Sequence, residues 1–104
     1  MILRHATLKG RLASILRHGL LCSKSRGRLK AVWLHSPAAS TWATIHTVKR
    51  HGGRVEDVVI LEVRVPRRHL RRGKKRLWYC TVDVGPDQVL SVVTFAQLAG
   101  TSQD

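Results

Sequence analysis

Acidic residues are scarce in this chain. Against 19 Lys and Arg stand 6 Asp and Glu, a formal charge of +13 over 104 residues. The carboxylates are Glu56, Asp57, Glu62, Asp83, Asp87 and Asp104, and only Glu62 falls in the middle of an expected strand. Hydrolysis by a pair of carboxylates therefore has little support. Cysteine is scarcer still. Cys22 and Cys80 are too few for a disulfide scaffold or a four-thiolate zinc site. They are expected as free, partly buried thiols in a reducing cytoplasm. No Gly-rich phosphate loop runs into Lys-Ser/Thr, and there is no Cys-x-x-Cys and no His-Glu-x-x-His. No apolar run approaches the roughly 20 residues of a membrane span. The opening MILRHATLKG has no long apolar stretch behind a basic one, so no signal peptide is expected. With neither repeat nor linker, the chain reads as one domain over residues 1–98 and a frayed polar tail over 99–104.

What is present is apolar residue in quantity, 43% of the chain, enough for a packed core. The positive charge repels itself in any compact state. It is best understood if a polyanion neutralises it, because phosphate contacts release counterions and so drive binding. RNA or DNA is the expected partner. The charge is also organised. Lys24, Arg26, Arg28 and Lys30 alternate with Ser and Gly in one loop. Arg64, Arg67, Arg68, Arg71, Arg72, Lys74, Lys75 and Arg76 crowd a second. Most of these cannot be buried, and such a run can be no more than a solvated face. The preference for Arg over Lys suits bidentate phosphate contact.

Periodicity predicts a short strand over Ile2 to Leu8 and a helix over Arg11 to His18, with Leu12, Ile15 and Leu16 on one face. Gly19 suits a left-handed helix end, after which Leu20 and Leu21 return to the core. Ala31 to His35 reads as a strand and Ala39 to Arg50 as a helix, with Trp42, Ile45 and Val48 or Lys49 sharing a face. Val58 to Val65 is the clearest strand, with Val59, Leu61, Val63 and Val65 pointing one way. Arg67 to Gly73 is expected as a helical turn. Leu77 to Val82 and Val89 to Phe95 complete the set, separated by a turn at Gly85-Pro86-Asp87. The sum is an α+β domain of about five short strands and two main helices.

Residues with chemistry gather at strand ends. His5-Ala6-Thr7 precedes the first helix, and imidazole titrates near neutral pH and bonds sugar hydroxyls or carbonyls. A lone His of this kind is equally at home as a structural residue. Trp33-Leu34-His35-Ser36 ends the second strand. Trp78 and Tyr79 follow the basic run on alternate faces, so one is expected in the core and the other free to stack on a base or a nicotinamide ring. Trp42 is either core filling or another such ring.

Taken in order, the chain shows His5-Ala6-Thr7, then Leu12-x-x-Ile15-Leu16-x-x-Gly19-Leu20, then Val32-Trp33-Leu34-His35-Ser36, then a helix, then Val59-Ile60-Leu61-Glu62-Val63-x-Val65-Pro66. This order resembles the ADP-ribosyltransferase fold, and within it the RNA 2′-phosphotransferase and DNA-modifying branches. The likeness runs from residue 2 to about 95. It implies NAD as cofactor, with His5 and Thr7, in place of a His-Gly-Thr-like segment, on the nicotinamide ribose. It implies Trp33 or His35 beside the nicotinamide, and Trp42, Ala43 or His46 supplying a further wall. It matches Asp83 to Val89 to the turn that follows the third catalytic strand. The chain departs from the family at that strand, where Leu77 to Tyr79 replace the usual Glu, and this disfavours Glu-dependent ADP-ribosyl transfer. The phosphotransferase branch, which relies on His and Arg, fits these residues better.

The expected site is therefore catalytic His5, His35 and Trp33. Arg4, Ala6, Thr7, Arg11, Trp42, Ala43, His46 and Tyr79 join them around the cofactor, with Arg4 or Arg11 on its pyrophosphate. No metal is expected. The expected activity is NAD-dependent transfer to nucleic acid. Two other readings stand beside it: a catalytically inactive nucleic-acid-binding module of the same fold, and a small RNA-cleaving or phosphoesterase enzyme using His5 and His35. The paired His-x-Thr/Ser pattern of phosphoesterases is met at His5 and fails at His35-Ser36-Pro37.

Overall fold

The computed structural model describes residues 1–25, 27–74, 76–94 and 96–97. Arg26 and Lys75 of the two basic loops, Phe95, and the tail over 99–104 lie outside these. The strands are β1 (Ile2–Leu8), β2 (Val32–His35), β3 (Val58–Arg64), β4 (Leu70–Arg72), β5 (Leu77–Cys80) and β6 (Val89–Thr94). The helices are α1 (Leu12–His18) and α2 (Ser40–His51). The strands form one six-stranded sheet in the order β4-β5-β2-β1-β3-β6, with every neighbouring pair antiparallel.

Alternation along the strands gives the sheet two faces. On one, Leu3, Leu34, Leu61, Val63, Leu70 and Cys80 make the main core, closed by Ile15 of α1 and by Leu20 and Val84. Leu20 and Val84 exchange backbone hydrogen bonds of 2.8 and 2.9 Å, which fixes the chain leaving α1 to the segment before β6. On the other face α2 packs on β1 and β3 through Ser40, Ala43, Thr44 and Thr47, all buried. The Thr44 and Thr47 hydroxyls donate to the carbonyls of Ser40 (2.9 Å) and Ala43 (2.7 Å), so their burial leaves no donor unpaired.

Three sequence expectations are corrected here. The sheet has six strands, not five. Arg67–His69 is a 3-10 turn, but Leu70–Arg72 then pairs with β5, Leu70 opposite Cys80. Three residues, two of them Arg, are too few for alternation to show. Trp42 and Ile45 do not form the packed face of α2; they are 49% and 44% exposed. The β3 side chains facing α2 are already large, and the space that remains admits Ala and Thr. Leu16 is exposed as well, because the short α1 reaches the core only through Ile15, with Leu12 half-buried against it. Trp78 and Tyr79 do take opposite faces: Trp78 packs against the core, and the Arg72 guanidinium lies 4.7 Å above its ring.

Candidate functional site

β1 pairs with β3 along its whole length but meets β2 in register only at Arg4–His35. Beyond that pair the two strands part. The Trp33 carbonyl, turned toward β1, accepts a hydrogen bond of 2.7 Å from His5 Nδ1. A side chain thus occupies a position that a ladder N–H would fill in a continuous sheet. The parting opens a cleft of about 820 Å³ between the strands, bordered by α1 and α2.

Sequence-expected residues from separate elements line this cleft. His5, Ala6 and Thr7 come from β1, and Trp33 and His35 from β2. Trp42, Ala43 and His46 come from α2, while Arg11 precedes α1 and Lys24 follows it. Arg4 and Tyr79 are not among the lining residues. Arg4 donates to Ser40 Oγ (3.1 Å) and pairs with Glu62 (3.2 Å), behind the cleft wall. Tyr79 packs on Trp33, ring centroids 5.1 Å apart. Among the described residues expected to contact nucleic acid, only Lys24 reaches the cleft. Arg28 and Lys30 are exposed nearby in sequence, and Arg67, Arg68, Arg71, Arg72, Lys74 and Arg76 are exposed at or near the β4 edge of the sheet.

Both imidazoles are held neutral. The Trp33 carbonyl can only accept, so Nδ1 of His5 carries the proton and Nε2 keeps its lone pair. Burial lowers the pKa of His5, the Trp33 carbonyl opposes this in part, and the Arg11 charge adds to the lowering. His35 is lowered as well, to about 4, by burial first and then by His5 and Arg4. Its Nε2 stands 3.4 Å from Ser40 Oγ. Glu62, Arg4, Ser40 and His35 therefore form one chain of polar contacts: the Ser40 oxygen accepts from Arg4 and its proton is available to the His35 ring. Arg4 Nε is buried with no hydrogen-bond partner among the described residues. The nearby Cys22 thiol is pushed up to about 11, chiefly by burial and then by Asp83, and is no nucleophile at neutral pH.

No family model and no curated protein matches this chain. The cleft must accordingly be read from its own residues. Among the described residues its lining holds Arg11, Lys24 and Arg50 and no carboxylate. Such a donor set favours an anion. The Trp42 and His46 rings stack at 5.0 Å and 12°, offering flat surfaces from α2 to the cleft that Trp33 also lines. Sequence reasoning missed Ser14, Arg50 and the Ser40 bridge. Arg50 was within reach: Trp42, His46 and Arg50 recur every fourth residue and so share a stripe of α2. Ser40 carried no comparable signal. Among the described residues no group of three or more His, Cys, Asp and Glu could hold a metal, and no helix is long and apolar enough to cross a membrane.

Proposed function

We propose that the chain is an NAD-using transferase of ADP-ribosyltransferase-like fold that acts on nucleic acid. The observation that carries this reading is the composition of the cleft. Neutral His5, the indoles of Trp33 and Trp42, and Arg11 and Arg50 line one space of about 820 Å³, with no carboxylate among the described residues that line it. A dinucleotide asks for these groups: flat partners for its rings, acceptors for its ribose hydroxyls and cations for its pyrophosphate. His5 Nε2 accepts from a ribose hydroxyl, with the Thr7 hydroxyl beside it. Trp33 or Trp42 lies against the nicotinamide, and Arg11 and Arg50 take the phosphates. NAD supplies a ribose carbon activated by a good leaving group. The chain supplies position, exclusion of water and charge balance. The absence of a carboxylate from the cleft favours the branch of the fold that works through His and Arg. It also favours, as a second reading, a module that binds nucleic acid without chemistry.

Calorimetry with NAD separates these readings. Binding is expected, and NAD at a hundred times its Kd should stabilise the fold by about 2.7 kcal/mol. Nicotinamide should be released from NAD as ADP-ribose passes to an oligonucleotide or as a 2′-phosphate passes from the oligonucleotide to ADP-ribose, and His5→Ala should abolish that release. Tight oligonucleotide binding with no NAD binding would leave the non-catalytic module as the better account.

The basic segments predict a second result. Affinity for RNA or DNA should fall steeply with salt, since each phosphate contact contributes about 0.7 to 0.9 to the logarithmic slope. Changing Arg67, Arg68, Arg71 and Arg72 together to Ala should weaken binding and flatten that slope. Unchanged affinity would remove this segment from the contact surface.

A further inference from the structure

On the face of the sheet that carries α2, the helix packs on β1 and β3, and β2, β5 and β4 extend to one side. Register places Arg71 opposite Tyr79 and Tyr79 opposite Trp33, so the three share that face in one row across the strands. Trp33, 40% exposed, is also a wall of the cleft. The row therefore begins at the basic edge strand and ends at the cleft mouth. Gly73 sits close against the edge of Trp33: a Cβ there would stand 3.3 Å from the indole Cζ3 and equally close to Leu77 Cβ and its carbonyl oxygen. From Val63 to Val82 the sequence contains no acidic residue.

We propose that this row is a stacking platform for the unpaired bases of a single-stranded nucleic acid, which Tyr79 and Trp33 hold by their ring faces while Arg71 holds the backbone, so that the strand is led into the cleft. The proposal rests on the reading that the partner is nucleic acid, and adds which form of it binds and where. The ring faces select the form. An unpaired base offers a flat π-surface of any sequence, whereas a duplex keeps its base faces stacked on one another. The charge selects the partner, because eight cations without one intervening anion, Arg64, Arg67, Arg68, Arg71, Arg72, Lys74, Lys75 and Arg76, match a phosphate backbone. The order of the row then gives a direction of travel. The backbone is caught at β4, bases stack on β5 and β2, and the next nucleotide stands at the cleft, where a transferred group would be received.

The test is fluorescence anisotropy with a labelled single-stranded 12-mer, the same strand as a duplex, and an abasic 12-mer of equal charge. The wild-type protein is expected to prefer the single strand to both others. Tyr79→Ala and Trp33→Ala should each weaken single-strand binding by about five- to 150-fold and leave the salt slope unchanged, since a stacking contact is lost and no phosphate contact. Arg71→Ala should lower the slope by about 1, and Tyr79→Phe, which keeps the ring, should bind as wild type. Equal binding of all three nucleic acids by the wild-type protein would overturn the platform without need of any variant, and so would alanine variants that fold and bind normally. Failure of the wild-type protein to bind any of the three at low salt would instead overturn the nucleic-acid reading beneath it.

Discussion

Gly19→Ala is expected to destabilise the fold by about 2–6 kcal/mol. Gly19 ends α1 with φ 83° and ψ −171°, a conformation that is essentially closed to residues with a side chain. A Cβ at this position would also lie 2.1 Å from the Val84 carbonyl oxygen and about 3 Å from Gly85 Cα, all of it backbone. The clash falls where Leu20 and Val84 exchange their hydrogen bonds, so relief of one contact breaks another. Strain of about 1–3 kcal/mol and a similar cost of overpacking are a large fraction of the stability of a domain, about 5–15 kcal/mol. Gly52 is the internal control. It ends α2 with nearly the same angles, φ 78° and ψ −177°, but a Cβ there meets nothing within 4 Å. Gly52→Ala should cost only the strain, and urea denaturation of the two variants measures the difference. Equal losses would show that the approach of Val84 to Gly19 is unimportant.

Acid should destabilise the protein well above the range where carboxylates protonate. His35 is 3% exposed, and its pKa falls from 6.5 to about 4 on folding. Below pH 6.5 the unfolded chain gains a proton at this residue that the folded chain refuses until about pH 4. The contribution of His35 is therefore complete above pH 6.5 and is lost as the pH falls from there to about 4. A displacement of that size corresponds to about 3 kcal/mol. His5, also lowered, acts in the same direction. Denaturation between pH 7.5 and 5 should show stability rising with pH, and His35→Asn should flatten the slope. A variant with the wild-type slope would mean that His35 does not refuse its proton in the folded chain.

The order of the elements and their class were readable because apolar periodicity is local. Val59, Leu61, Val63 and Val65 alternate along one strand, and Leu12 and Ile15 recur at helical spacing. What escaped was decided by partners distant in sequence. Leu70 is recognisable as strand only through Cys80 opposite it. Trp42 and Ile45 looked like the inner face of α2 because they are the larger apolar residues, yet the space left by β3 set the choice. The His5-Ala6-Thr7 and Trp33-Leu34-His35 motifs were visible as residue types and the cleft joins most of them, but His5 to Thr7 lie within β1, paired with β3, and not beyond the end of a strand. The chain from Glu62 through Arg4 and Ser40 to His35 was not visible, since its links span 58, 36 and 5 residues. Arg4 was therefore assigned to a pyrophosphate, while its guanidinium is engaged by Ser40 and Glu62.

The single register pair between β1 and β2 has a mechanical consequence. Backbone hydrogen bonding makes most of this sheet stiff, but along that seam it is nearly absent, and the two halves are joined instead by side chains. On the α1 face, Leu3 and Leu61 from one half pack in a single core with Val32 and Leu34 from the other. The halves cannot separate without exposing that apolar joint. The width of the gap is then a property of side-chain volume, tunable by one methylene at Leu3 or Leu34, in a way that a fully laddered sheet would not allow.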